Sequence, residues 1–404
     1  SRPAVEPGPW RRDPYGTQDI IAQVRGRRKE IVACLGDLVA ARTVNPPGDE
    51  RAAAAVVEKL FRRRRIPYEK LEKAPGRTNI VGCVGEGRPR VAVVCHLDTV
   101  PAGDGWKTDP FKATVRKGRI HGRGVKDNKG PLASCLAAVE WLKEHEDELA
   151  GQVLLIGAAD EECGSEFGTR FLLRRPQFRR LDAAIVPDAG HRMETIDVAE
   201  KGMLFLKVRC HGRQAHGARP HSGASAIYPM AELALWLNKW HMPGGTNELF
   251  MPPGPTKNVG VIVGGAAVNM VPATCEMQVD MRYLPGTDRD ELLATVCNVI
   301  DRLERKHRGA VFEIEVMTED VPTQVPTDSD VYRALSGAVE CVTGKRPSPF
   351  GMGGATVTKQ FIEAGIPAIG ICPGDPNTEH VANESIAVDQ LVDFAAVMAI
   401  CLFA

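Results

Sequence analysis

A short apolar run that stops on a histidine constrains this chain more than any other feature. Val91 to Val94 is a β-branched run of the kind a sheet buries on both faces, and it leads to His96 and Asp98. Two residues apart on an extended chain, the two side chains leave on the same side. The carboxylate can then grip the free nitrogen of an imidazole whose other nitrogen binds a metal. Further on, Gly122 and Gly124 let the backbone come close before Asp127, just ahead of a predicted helix, LASCLAAVEWLKEH. A strand-end histidine and a loop aspartate point to a metal site.

The same arrangement recurs along the chain. VLLIGAA (153–159) runs directly into Asp160, Glu161 and Glu162, AAIVP (183–187) ends in Asp188, and AIGICPG (368–374) is followed by His380. Consecutive carboxylates at a strand end repel one another unless something positive sits there. A solvated acidic turn is the bland reading of 160–162, and the buried strand before it and the histidine upstream argue against it. Four β-type runs thus each put a potential ligand just past the carboxyl end, the edge where open α/β sheets form their sites. Two histidines and several carboxylates make an N/O set suited to Zn²⁺, with Mn²⁺ or Co²⁺ as substitutes.

The 404 residues, 43% of them hydrophobic, are enough for two domains with sizeable cores. Lys+Arg and Asp+Glu are equal at 51 each, so no long-range field recruits nucleic acid or an anionic membrane. Eleven cysteines without a Cys-x-x-Cys pair favour a reducing compartment, and no apolar run reaches membrane-span length, so a cytoplasmic location is expected. The prolines at 3, 7, 9 and 14 predict an extended arm over residues 1–18. Apolar spacing predicts one helix from Thr17 to Val39 and another from Glu50 to Arg65, whose FRRRR end reads as a solvated helix terminus. Asn79–Val84 and Val91–Val94 read as neighbouring strands. Between residues 198 and 314 the texture changes to amphipathic strands separated by helices near 224–240 and 290–307. The expected fold is therefore α/β: a mixed, largely parallel sheet flanked by helices, built from 1–197 and 315–404, with a smaller α+β domain inserted. Asn383-Glu384-Ser385 fits a glycosylation sequon, a weak match in a chain with no sign of secretion.

The ordered pattern His-x-Asp-Thr-Val-Pro from 96, Trp106, Asp-Pro-Phe at 109–111 and Gly-Arg-Gly-x-x-Asp-x-Lys-Gly at 122–130 resembles one family. This is the dinuclear-zinc metallopeptidase family of carboxypeptidase G, aminoacylase, acetylornithine deacetylase and succinyl-diaminopimelate desuccinylase. The resemblance implies that Asp127 bridges two divalent ions, with His96 and Asp188 on one and Glu162 and His380 on the other. It implies that Asp98 orients His96, that Glu161 is the general base for a metal-bridged water, and that the Asp127–Asn128 peptide is cis. It also implies that the inserted domain is a lid that dimerises, with His216 reaching the neighbouring subunit's site to stabilise the oxyanion. Asn269, Arg282, Gly353 and Gly354 match the positions that meet substrate polar groups, and Arg is the residue best built to hold a carboxylate.

The activity implied is hydrolysis of an N-acyl amino acid or a small dipeptide-like amide that carries a carboxylate. Hydrolysis of a non-peptide C–N bond, or a non-catalytic metal-binding relative, are the other readings. The chain departs from the family at Ala355, Thr356 and Val357, where many relatives have Thr-Ser-Asp, and at His121, where an aromatic residue is commoner. These departures leave the metal set complete and the acyl group open.

Overall fold

The structure is a computed structural model that describes residues 16–403, so most of the expected extended arm lies outside the described residues. The chain divides into two compact units, one ending at Val198 and resumed by 325–350 and 356–404, the other formed by 199–324 with 351–355.

The first unit opens with helices α1 (Thr17–Gly26), α2 (Arg28–Ala40) and α3 (Arg51–Arg64). The apolar spacing predicted one helix over 17–39, but it breaks at Arg27, directly after Gly26, a residue that weakens a helix interior. The basic end of α3 is not simply solvated: Arg63 and Arg64 donate to Glu140, which is 2% exposed, at 2.8 and 3.0 Å. Strands β1 (Tyr68–Glu72), β2 (Thr78–Val84) and β3 (Arg90–His96) follow, then a small hairpin, β4 (Thr114–Arg116) and β5 (Arg119–His121). After them come α4 (Lys129–Glu144), β6 (Gln152–Ala158), α5 (Thr169–Leu173), β7 (Ala183–Val186) and β8 (Thr195–Glu200).

The second unit contains β9 (Gly202–His211), β10 (Ala215–His216), α6 (Ile227–Lys239), β11 (Thr256–Gly264), β12 (Met270–Val271), β13 (Thr274–Tyr283), α7 (Arg289–Lys306), β14 (Val311–Asp320) and β15 (Thr323–Gln324). Its main sheet has the order β11-β13-β9-β14 and is antiparallel throughout. Along β9 buried and partly exposed residues alternate, as expected of a sheet covered on one face. Leu204, Leu206 and Val208 form a core there with Leu233 and Leu237 of α6 and Val296 and Ile300 of α7. The sequence had the chain returning to the first unit at 315. Instead β14 stays paired with β9 as far as Asp320, opposite Met203, and the return follows Gln324.

The return consists of α8 (Asp330–Thr343), β16 (Ser348–Met352), α9 (Thr358–Glu363), β17 (Ala368–Gly370), β18 (Ser385–Ala387) and α10 (Val388–Phe403). In the first unit β3 lies between β6 and β7 and is parallel to both, and β17 continues the parallel set beside β7. The strands β2 and β3 are not neighbours as expected, because β6 sits between them, antiparallel to β2. The apolar helices α4 and α10 supply core. Leu391, Phe394, Val397 and Met398 are fully buried, each contributing about 1.5–3 kcal/mol relative to exposure. Consequently β3, β6, β7 and β17 all end at one edge of the sheet.

Candidate metal centre

At that edge the side chains converge on Asp127. His96, the last residue of β3, places Nε2 2.8 Å from Asp127 Oδ1, and His380 places Nε2 2.8 Å from Asp127 Oδ2 and 3.4 Å from Glu162 Oε2. Ligand-type atoms of His96, Asp127 and Asp188 lie within 4.8 Å of one another, and so do those of Asp127, Glu162 and His380. The five residues singled out as metal ligands are therefore brought together as two groups that share one carboxylate. Asp127 sits at the end of a loop in which Gly124 has φ +84°, a conformation that favours glycine. Gly130 opens α4 where a Cβ would lie 2.0 Å from the Val125 carbonyl oxygen. The Asp127–Asn128 peptide is cis, as the resemblance implied.

The residues behind the ligands were mostly unseen in the sequence. Asp98, fully buried, accepts from Asn45 Nδ2 at 2.8 Å and from the N–H groups of Glu161 and Glu162 at 3.1 and 3.2 Å. His96 Nδ1 lies 3.1 Å from the Asp98 carbonyl oxygen and 3.4 Å from its Oδ1, so backbone and carboxylate share the task expected of the carboxylate alone. Asn45 also donates to Asp160, which is held by Arg77, which in turn forms a bidentate pair with Glu50. Asn128 donates to the Pro187 carbonyl at 2.7 Å and to Asp188 Oδ1 at 3.3 Å, tying the β7 ligand to the residue next to Asp127.

Charge in the centre is unbalanced without a cation. Burial, and then the Asp127 charge, pushes Asp188 up to about 7, while burial and the Asp188 charge raise Glu161 well above the usual carboxylate range. Hydrogen bonds to Asp127 and Glu162 raise His380 to about 10. For His96 burial acts downward, but bonds to Asp127 and Asp98 outweigh it and hold the imidazole well above its ordinary value. Burial would raise Asp127, yet the bonds from His380 and His96 keep it well below the carboxylate range. The raised histidines and the raised Glu161 and Asp188 express the same crowding of carboxyl groups around Asp127. Divalent cations would relieve that crowding, and the N/O donor set fits such ions.

The remaining predicted residues lie in the second unit. His216 is exposed on β10, opposite Met270, and its Nδ1 accepts the Ala218 N–H at 3.1 Å, so Nε2 carries the proton and is free to donate. Asn269 is beside it, its carbonyl accepting the Gly217 N–H at 2.7 Å. Arg282 grips Asp280 through Nε and Nη2 at 2.8 and 3.2 Å, lies over the Phe205 ring, and donates from Nη1 to the Gly353 carbonyl at 3.2 Å. The structure thus groups His216 with Asn269, and Arg282 with the Gly353–Gly354 loop. Val357, in the first unit, is 4% exposed in a cluster with Leu172, Phe361 and Ile366, so the position where relatives carry aspartate is used here for packing.

Fold and site together point to a class, an α/β hydrolase with a candidate metal centre at the carboxyl edge of a parallel set of strands. The sequence profile of peptidase family M20/M25/M40 matches residues 92–403, and the chain belongs to that family. It is 28% identical over 401 residues to an uncharacterized metallohydrolase of Methanocaldococcus jannaschii, covering 91% of this chain and 98% of that protein. It is 31% identical over 328 residues to an acetylornithine deacetylase of Myxococcus xanthus, covering 79% and 81%. The crystal structure of aminopeptidase PepT from Bacillus cereus matches with a TM-score of 0.76 at 22% identity, over 93% of this chain and 98% of that one, a likeness of fold. The chain is accordingly a metal-dependent hydrolase of amide or peptide bonds.

Proposed function

We propose that this enzyme hydrolyses an N-acyl amino acid or a small dipeptide-like amide bearing a free carboxylate. The observation that carries the reading is the pair of ligand groups sharing Asp127, with Glu161 adjacent. His96, Asp127 and Asp188 would hold one ion, and Asp127, Glu162 and His380 the other, with Zn²⁺ the best fit and Co²⁺ or Mn²⁺ as substitutes. When bound, two such ions polarise a carbonyl and lower the pKa of water. Glu161 accepts a proton from water and returns it to the leaving amine, a role worth about 10²- to 10⁴-fold in rate. Asp98 holds His96 in its ligating tautomer. His216 Nε2–H donates to the carbonyl oxygen as it becomes negative, and Asn269, Arg282 and the Gly353–Gly354 backbone bind the substrate's polar groups.

In the same reading the molecule is a cytoplasmic homodimer in which His216 serves the partner's site. The edge strand β11 supports this: Val261, Ile262 and Val263 are 41%, 50% and 67% exposed on an unpaired sheet edge, the kind of surface a second chain covers. Among the described residues no helix is long and apolar enough to cross a membrane.

Assay of N-acetyl, N-succinyl, N-carbamoyl and dipeptide substrates, each with Zn²⁺, Co²⁺ and Mn²⁺, tests the proposal. Turnover of one acyl amino acid or dipeptide class, abolished by chelation, is expected. Turnover of N-carbamoyl compounds alone, or of none, would contradict it.

A further inference from the structure

The triplet Asn383-Glu384-Ser385, a weak sequon by sequence, lies where the segments of the metal centre are tied together. Asn383 accepts from the Lys107 N–H at 2.8 Å and donates to the Gly105 carbonyl at 3.1 Å, in the stretch that follows Asp98. Ser385 pairs with His121, so β18 runs along β5, which leads into the Asp127 loop. Between them Glu384 is 1% exposed. Its Oε1 accepts the N–H groups of Lys126 and Asp127 at 2.7 and 3.1 Å. Its Oε2 accepts the Gly124 N–H at 2.9 Å and Arg123 Nη1 at 2.7 Å, and its carbonyl accepts the Gly122 N–H at 3.1 Å.

Four of the six backbone N–H groups of the 122–127 loop therefore end on one residue, four positions past His380. Arg123 extends the tie. It is 2% exposed, lies 5.2 Å over the Trp106 ring, and donates to the carbonyls of Pro101 and Ala102 at 3.3 and 3.0 Å. A buried carboxylate is tolerated only when its oxygens are satisfied, and here each oxygen receives two donors. Glu384 belongs to neither ligand group, and both its carboxylate oxygens are taken up by donors of the loop.

We propose that Glu384 is a positioning residue that shapes the 122–127 loop before any ion arrives, so that Asp127 stands ready between His96 and His380. The inference rests on the two-ion reading above. Glutamine at this position keeps the shape but turns an NH₂ toward two donors that need an acceptor, so the loop loses its template without losing volume.

The test titrates wild type and Glu384→Gln with Co²⁺, following visible absorption, with circular dichroism as the check on the fold. The variant should bind Co²⁺ about 10- to 100-fold more weakly, with altered absorption bands, while its fold is retained. Affinity and spectrum equal to wild type, even with a lowered melting temperature, would reduce Glu384 to an ordinary structural residue and overturn the inference. Failure of the wild type to take up two ions would instead count against the two-ion reading. Hydrogen exchange of the metal-free wild type needs no variant. The Gly124, Lys126 and Asp127 amides should already be protected, and free exchange that slows only on adding Co²⁺ would overturn the inference.

Discussion

Substituting Asp98 by asparagine separates the two ways in which His96 is held. Asparagine has the same shape but one acceptor oxygen, whereas Asp98 receives Asn45 Nδ2 at 2.8 Å and the N–H groups of Glu161 and Glu162 at 3.1 and 3.2 Å. With its oxygen toward Glu161 and His96, the new NH₂ faces the Glu162 N–H and the Asn45 amide. Asn45 cannot turn over to accept, because its Nδ2 also donates to Asp160 Oδ1 at 3.1 Å and a flip would set two oxygens together. At least one buried N–H is stranded, a destabilisation of about 1–3 kcal/mol, and loss of the anion behind the imidazole should weaken metal binding about 10- to 100-fold. Competition against a chromophoric chelator measures the affinity, and chemical denaturation of the metal-free protein measures the stability. Asp98→Asn binding metal within about twofold of wild type would refute the reasoning, since removing the carboxylate behind a ligating histidine normally costs more. It would mean that the Asp98 carbonyl, 3.1 Å from His96 Nδ1, orients the ring alone.

Glu161→Gln should bind metal as wild type does yet lose about 10²- to 10⁴-fold in kcat, and lost metal binding would make Glu161 a ligand instead of a base. Mixing Glu161→Ala with His216→Ala protomers, each inactive alone, should restore activity if sites are completed across a dimer. No recovery after heterodimers have been shown to form would mean that each chain completes its own site or that His216 has another role. His380 is raised from 6.5 to about 10 in the metal-free fold, so its contribution to that fold's stability is full below 6.5 and is lost as pH climbs through 10. Metal takes the neutral imidazole, and His96 is raised as well, so binding at pH 8 should release protons from both histidines, and affinity should rise with pH. Calorimetry in buffers of different ionisation heat reads those protons, and a His380→Ala variant that releases as many as wild type would contradict the assignment of His380.

Four of the five candidate ligands were legible because each comes at or after the end of an apolar strand, and β3, β6, β7 and β17 all end at one edge, whereas Asp127 was marked by its glycine loop. Of what holds them, only Asp98 was legible. Asn45, Arg77 and Glu50 act through partners far along the chain, such as Asp98 and Asp160, and no local pattern marks them. Glu384 was hidden by a motif that suited another purpose, since only the fold brings it to the donors of 122–127. The return from the second unit was misplaced by about ten residues because β14 is an edge strand with exposed side chains and carries no turn signal at 315. Insertion of β6 between β2 and β3 is a matter of sheet order, which apolar runs by themselves do not encode.

Anomalous diffraction at the zinc edge, from crystals of the Zn²⁺-loaded protein, tests the central claim most directly. Two peaks should flank Asp127, one at ~2.0–2.2 Å from donors of His96 and Asp188 and the other at that distance from Glu162 and His380. A single peak, or two peaks that do not share Asp127, would contradict the account.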